Sequence, residues 1–591
     1  MVHSNRRRGR LALLCSAAAF PILALATSAS ADSLPAPPTS TVQPAAETAW
    51  DIPGVIVIDA KDNLSDSEVK TLLDEVANVS PTATFTESDL EDETRIELAS
   101  VPAADVQSVV SKLANDERIE HVEPLAWVTA NFVPNDPLFE KQWHMERVGA
   151  PTAWDYATGV GVTVAVIDTG IACEDFEGFM KGTDLSATRC VAGWNFIRDN
   201  EHANDDHGHG THVAGTIAQS TNNGIGATGL AFDVRLMPIK VLDKGGWGTT
   251  VDIANGIRWA SDHGAQVINL SLGGPRNSGI LEDAIAHARS QGTVVVAAAG
   301  NSGGSVGYPG GSAGVIGVSA TDQADALAAF SSRGKGVDIA APGVDVVQQT
   351  ICENGKNKCE VFPGWRGTSM ASPHVAAAAA LLVGMGVSDP DAVERTLAAN
   401  ARVVDGSENG RRQFGAGILD AAATVRAVAL RQGLTRLGLV AVFTALVAAW
   451  ARSRSKKASG PNLGFVLAAL AAGPGLLFFA PLVLSRTHLP IDILARPIAD
   501  VDFYVGASLH RLLPLAHVGV PLGLLVLTFH WKALRPWVAG IAVGTAAYLA
   551  SIAIFHEAYS PFGATAMMVW CGINAAASLL VARFALEHAA D

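Results

Sequence analysis

Five apolar runs in the last third of the chain, Leu434–Trp450, Leu463–Leu484, Leu512–Phe529, Trp537–Phe555 and Ala564–Val581, constrain its fold more than any other feature. Each approaches the ~20 residues an α-helix needs to cross ~30 Å of hydrocarbon. A buried core helix could account for one such run. Five in succession, separated by short polar breaks, predict an all-α transmembrane bundle over residues 434–583. Composition agrees, since 49% of residues are apolar and only 17% charged, a balance unusual for a purely soluble protein.

Charges between the runs set the orientation. Arg452, Arg454, Lys456 and Lys457 follow the first run, and Lys532 and Arg535 precede the fourth, so these connectors are expected to face the cytoplasm. The opposite loop near 485–511 carries three arginines, which limits the bias. Residues before 434 then lie on the extracytoplasmic side. His510, His517, His530 and His556 fall in or near the runs, with Arg511 and Glu557 near run ends. Ionisable groups inside a bilayer suggest function, whereas long side chains at span ends ordinarily snorkel to the interface.

The N-terminus agrees with export. Arg6, Arg7, Arg8 and Arg10 precede the apolar run Leu11–Leu25, and Ala29-Ser30-Ala31 offers a small-x-small cleavage site, so residues 1–31 read as a signal peptide. Residues 32–54, with Pro35, Pro37, Pro38 and Pro44, have linker composition. Cys15 leaves with the signal and Cys571 sits in an apolar run; the other four cysteines form local pairs, Cys173 with Cys190 and Cys352 with Cys359. In an exported chain these read as two disulfides, and neither pair has the tight C-x-x-C spacing of a metal site. The formal charge of −15 argues against nucleic acid as a partner, because phosphate binding needs a basic surface.

Two further patterns lie between linker and membrane region. Over 55–130, Val55–Ile58, Thr94–Leu98 and Ile119–Val128 read as strands, and Ser65–Val79 and Ala103–Leu113 as helices, a small α+β split βαβ (ferredoxin-like) unit. Over 137–430, the apolar runs Val162–Ile167, Val234–Val241, Val267–Leu270 and Thr293–Ala298 are bounded by Gly, Asp or Asn. They suit parallel strands buried on both faces, with Thr249–His263 and Ile280–Ser290 as crossover helices, hence a doubly wound α/β domain.

Three segments of that domain carry chemistry. A buried strand ends on Asp168-Thr169-Gly170, His209-Gly210-Thr211-His212 opens a helix, and Gly367-Thr368-Ser369-Met370-Ala371-Ser372-Pro373-His374 leads into the apolar helix Val375–Val383. A serine hydroxyl needs an adjacent base, and the base needs a partner that fixes its tautomer. Strand and helix ends can bring all three to the carboxyl edge of one sheet, where open α/β sheets place their sites. Asp205-Asp206-His207-Gly208-His209 also invites a metal reading, which would leave the serine motif unexplained. His212 and His374 read as structural hydrogen-bonders.

All three segments resemble those of the subtilisin-like serine proteases, the subtilases, over about residues 137–425, in the order Asp, His, Ser with about 40 and about 160 residues between them. The resemblance implies an endopeptidase acting on polypeptide substrates, with Ser369 as nucleophile, His209 as general base and acid, and Asp168 as orienting carboxylate. Asn301, at the end of the strand Val294–Ala299, fits an oxyanion donor alongside the Ser369 N–H. Removing such a donor from subtilisin costs about 10²–10³ in turnover. Ser271, Leu272 and Gly273, with Gly246 upstream, resemble segments that sandwich an extended peptide by strand addition. Gly307, before Tyr308-Pro309, resembles the floor of the primary pocket and leaves room for a large apolar side chain. The chemistry needs no cofactor. The family often carries calcium, and the resemblance points to Asn223 with Gln142 and Glu177, although the family usually has Asp where Glu177 stands. Residues 55–130 resemble the inhibitory pro-segment, with cleavage expected between about 126 and 136. The five-run region resembles nothing that identifies it, which leaves a second reading: a membrane transport or signalling protein whose protease domain serves only processing or regulation.

Overall fold

The computed structural model describes residues 51–61, 63–79, 84–86, 95–126, 133–455, 458, 460–478, 496–499, 517–558 and 562–588. The signal peptide, most of the linker, residues 127–132 of the expected maturation region, Lys456 and Lys457, and most of the outer loop at 485–511 lie outside them. The chain forms two compact units, Met1–Thr129 and Ala130–Asp591.

In the first unit the order is β1 (Asp51–Ala60), α1 (Asp66–Val79), β2 (Thr84–Thr86), β3 (Ile96–Ser100), α2 (Val106–Leu113) and β4 (Ile119–Ala126). The strands pair antiparallel in the order β2-β3-β1-β4. Ser65 starts α1 as half of a capping box, its backbone N–H donating to the Glu68 carboxylate at 2.8 Å. Ile56, Ile58, Leu72, Ala99 and Val109 form the core between sheet and helices. Two details differ from expectation. β1 begins at Asp51, inside the expected linker, because Ile52 is buried. β2 is a three-residue strand, too short to show alternation in the sequence.

The second unit contains an eight-stranded sheet. Its strands are β5 (Thr163–Asp168), β6 (Arg189–Cys190), β7 (Trp194–Asn195), β8 (Arg235–Lys240), β9 (Val267–Leu270), β10 (Val294–Ala298), β11 (Ile316–Thr321) and β12 (Ile339–Pro342). They run parallel in the order β12-β11-β10-β9-β5-β8-β6, with β7 also on β8. Every residue of β5 is buried. Val164 and Val166 face one core and Ala165 and Ile167 the other, the two-residue alternation of a strand covered on both faces. Helices α3 (His209–Ala218) and α6 (Thr368–Gly384) cover the first face. Helices α4 (Thr250–Asp262) and α5 (Gly279–Ser290) cover the second. This is the doubly wound domain expected from the sequence. The bridges Cys173–Cys190 and Cys352–Cys359 are both present.

Beyond α7 (Pro390–Asn400) the chain enters α8 (Ala421–Arg454), one continuous helix of 34 residues. Ala421, Val425 and Val428 belong to the core of the sheet domain, and Val440 and Val447 to a separate apolar core. That second core also draws on α9 (Leu463–Ala472), α10 (Gly519–Thr528), α11 (Arg535–Phe555) and α12 (Ala564–Glu587). Among the described residues three helices are long and apolar enough to cross a membrane: Ala421–Arg454, Lys532–Phe555 and Thr565–Glu587. The other two expected runs show ten-residue helices, α9 and α10, each about 15 Å long and shorter than a span. Gly473-Pro474-Gly475 halts α9, since proline lacks the N–H a helix needs.

Candidate active site

β5 ends on Asp168, which has no exposed surface. A buried carboxylate must receive hydrogen bonds to remain charged. Asp168 Oδ1 accepts from the backbone N–H of Thr169 at 2.7 Å and from Nδ1 of His209 at 2.8 Å. This fixes the His209 tautomer with its proton on Nδ1 and leaves Nε2 toward the cleft. Burial works against the imidazolium, but the charge and hydrogen bond of Asp168, with help from Asp205, outweigh it and raise the His209 pKa.

His209 can come this close because the next residue is glycine. A methyl at position 210 would overlap the carbonyl oxygen of Gly170 and press on Asp168 Cβ. Asp205 then ties the start of α3 to the strand end. Its carboxylate accepts from Thr169 Oγ1, His207 N, Gly208 N, Thr211 N and Thr211 Oγ1, and Thr169 Oγ1 in turn accepts from Gly210 N at 2.9 Å. The helix N-terminus, whose first N–H groups lack intrahelical partners, is thereby satisfied without a side-chain bond from Gly208.

Ser369 is the second residue of α6. Pro373, four residues on, has no N–H to give its carbonyl, and that carbonyl instead accepts from Ser271 Oγ at 2.7 Å. Ser271 Oγ accepts from Asn269 Nδ2 at 2.9 Å, and Asn269 Oδ1 accepts from Ser372 Oγ at 2.7 Å. The Ser369 hydroxyl donates to the Ser271 carbonyl at 3.0 Å. A cleft of about 570 Å³ is lined by His209, Asn301 and Ser369, together with Asp345, Gly364, Trp365, Arg366 and Met370. Asn301 Oδ1 is taken by Thr368 N and Thr368 Oγ1, at 2.8 and 2.9 Å, so the amide's donor end is available to a ligand. The arrangement offers an oriented base, a hydroxyl and an amide donor at one cleft, groups that acyl transfer uses.

The expected peptide-binding segments meet in part. Gly274 and Tyr308 exchange backbone hydrogen bonds of 2.8 Å, which sets Gly273 and Gly307 beside each other's strands. Leu272 is half-buried against the second core. Gly246 lies beside His207. His212 donates from Nε2 to the Pro363 carbonyl at 3.1 Å and stacks on Trp365, and His374 donates from Nδ1 to the Met370 carbonyl at 2.9 Å. Burial pulls their pKa values down to about 3 and about 4, so both are neutral structural groups.

The expected calcium set does not assemble. Glu177 is exposed in the Phe176–Phe179 turn, where its carbonyl accepts from Lys356. Gln142 Oε1 already accepts from Thr228 N and Thr228 Oγ1. The carboxylates around Asn223 are instead Asp184 and Asp136. Asn223 Nδ2 donates to Asp184 Oδ1 at 2.8 Å, and Asp136 accepts from the backbone of Asn222 and Asn223. Both are buried. Burial pushes the Asp184 pKa up to about 7, and nearby Asp136 adds to the rise. Among the described residues no Lys or Arg pairs with either, and no cluster of three or more His, Cys, Asp or Glu could hold a metal ion. Sequence reasoning also missed Asp205 and the cleft wall Trp365-Arg366; Asp205 is one of several acidic residues before His209, and only folding singles it out.

The Subtilase family model matches residues 159–417. A thermophilic serine proteinase of Bacillus sp. (strain AK1) is 36% identical over 395 residues, covering 65% of this chain and 92% of that protein. Thermitase of Thermoactinomyces vulgaris is 40% identical over 259 residues, 44% of this chain and 88% of thermitase. Subtilisin Savinase of Lederbergia lenta is 42% identical over 286 residues, 48% and 98% of the two chains.

Because Asp205 serves five donors, four of them buried, Asp205→Ala is expected to lower stability by roughly 3 kcal/mol or more, read as a fall in the midpoint of thermal unfolding. An unchanged midpoint would show that the loop does not depend on it.

Proposed function

This chain belongs to the subtilase family, and from that premise we propose a membrane-tethered, extracytoplasmic endopeptidase in which Asp168, His209 and Ser369 form the catalytic triad. It is a subtilisin-like serine protease, and the observation that carries the residue assignment is the convergence of His209, Asn301 and Ser369 on one cleft, with Asp168 on the far nitrogen of the imidazole.

Catalysis begins with a rotation of the Ser369 side chain that moves its hydroxyl bond from the Ser271 carbonyl to His209 Nε2. Oγ attacks the scissile carbonyl carbon as its proton passes to Nε2, and Asp168 stabilises the imidazolium. The oxyanion is held by Asn301 Nδ2 and by the Ser369 N–H, an unpaired donor of the first turn of α6. His209 then gives its proton to the leaving amine. Water repeats the sequence on the acyl-enzyme and frees Ser369.

Asp136, Asp184 and the Asn222–Ala227 loop would hold a structural calcium ion. Two buried carboxylates without a cationic partner suit a hard cation, and the ion would supply charge balance to the fold, not to the reaction. Residues 55–130 serve as pro-domain, a reading supported by their independent βαββαβ unit. Export to an oxidising compartment is supported by the two disulfides.

Ser369→Ala is expected to abolish peptide hydrolysis and precursor self-cleavage while leaving the fold intact by circular dichroism; normal self-processing would refute the nucleophile assignment. The base must be neutral, so kcat/KM should rise with pH through a midpoint above the ordinary histidine value of 6.5. Asp205→Asn removes a charge that favours the imidazolium and should move that midpoint down. A chelator should lower the unfolding temperature of the parent protein and leave Asp184→Asn unaffected, whereas equal responses would remove Asp184 from the calcium site.

A further inference from the structure

Helix α6 carries Ser369 at one end and meets the membrane bundle at the other. It is 17 residues long, so its ends stand about 25 Å apart. At its C-terminal end, the Gly384 carbonyl accepts from Arg496, and the Met385 carbonyl from Gln432. Just beyond it, Ser388 N and Asp389 N donate to the carbonyl of Glu557 at 2.7 and 3.0 Å. Glu557 lies between α11 and α12, at the ends of the spans expected to face outward.

The Glu557 side chain closes the same joint. It is 1% exposed. Its carboxylate accepts from Arg431 at 2.6 Å and from Gln432 at 2.9 Å, with Arg436 at 4.0 Å. Arg436 also donates to Ser551 Oγ on α11. Arg431, Gln432 and Arg436 all lie on α8, the helix whose first turns are packed in the sheet domain and whose remainder enters the bundle. No loop separates the two. The sheet gives the same direction independently. Gly384 packs beside Gly159 and Val162, just before β5 begins, whereas Asp168 closes the carboxyl end of β5 and Ser271 and Asn301 follow those of β9 and β10.

From this geometry we infer that the bundle is docked on the amino-terminal edge of the sheet and holds the active site turned away from the bilayer, one helix length, about 25 Å, from the joint. The substrates are therefore polypeptides that stand clear of the membrane, either soluble chains or distal parts of ectodomains, and bonds close to the membrane surface are excluded. A bundle joined by a buried, triply contacted carboxylate is a stand that sets reach; a flexible tether would let the cleft sample the surface. The inference rests on the membrane-tethered protease reading and adds the substrate class.

The test uses the full mature chain in phosphatidylcholine vesicles. Single-span substrates carry the same cleavable segment either four or about 25 residues from the bilayer, and a soluble fluorogenic peptide serves as reference. The distal site should be cut at least tenfold faster than the proximal one, and equal rates would overturn the inference. A dye-bearing fluorophosphonate on Ser369 should approach acceptor-labelled lipids no closer than about 25 Å, whereas an approach within about 15 Å would overturn it. Glu557→Gln, which leaves the catalytic groups untouched, should hydrolyse the soluble peptide at the parent rate and gain several-fold on the proximal substrate. If that variant does not fold, the distance measured on the parent chain decides. Failure of the soluble peptide or of Ser369 labelling would fault the protease assignment instead, and absence from vesicles the membrane reading.

Discussion

Burying the Asp168 carboxylate at the end of β5 is the costly act on which the rest of the site depends. A charge out of water is tolerated only where hydrogen bonds are delivered to it, and in this chain one comes from the adjacent backbone and one from His209. The second requires that the start of α3 be pressed against the strand end. Gly210 makes the approach sterically possible, and Asp205 makes it satisfiable by gathering the amides that the helix start would otherwise leave bare. The raised pKa of His209 follows from this packing, with two carboxylates offsetting the burial that favours the neutral ring.

Ser369, the proposed nucleophile, is held by a complementary device. Pro373 is unfavourable within a helix because it forfeits a hydrogen bond. Here the forfeited acceptor is the carbonyl of Ser369 itself, and Ser271, steadied by Asn269, takes its place. A helix defect is thereby converted into a link between α6 and the end of β9. That link carries the serine backbone to the strand from which Ser271–Gly273 departs, so the proposed nucleophile and the proposed peptide-binding segment share one element.

The junction to the bundle follows the same logic at larger scale. Isolating Glu557 from water would be prohibitive without Arg431, Gln432 and Arg436, and removing one partner of such a cluster leaves an uncompensated charge. The cluster therefore specifies one docking of bundle on protease. In the sequence Glu557 is a charged residue near a span end, where snorkelling is the ordinary expectation. Its burial is visible only when α8 and the α11–α12 connection are brought together.

Strands β5, β8, β9 and β10 were legible in the chain because each is a continuous apolar run, the mark of a strand covered on both faces. β11 and β12 carry alanine, glycine and serine, and β6 and β7 are two residues long, so neither pair announces itself. The disulfide pairs were legible too, since the pairs close short loops. The carboxylates beside Asn223 were not legible: Asp136 and Asp184 reach that loop across 87 and 39 residues, and no local pattern distinguishes them from Glu177. By itself, then, the sequence determined the strands buried on both faces and the long apolar helices, because hydrophobic periodicity is a property of neighbours. The tertiary structure alone decided which distant polar groups satisfy one another, because a buried charge selects its partners by proximity in space.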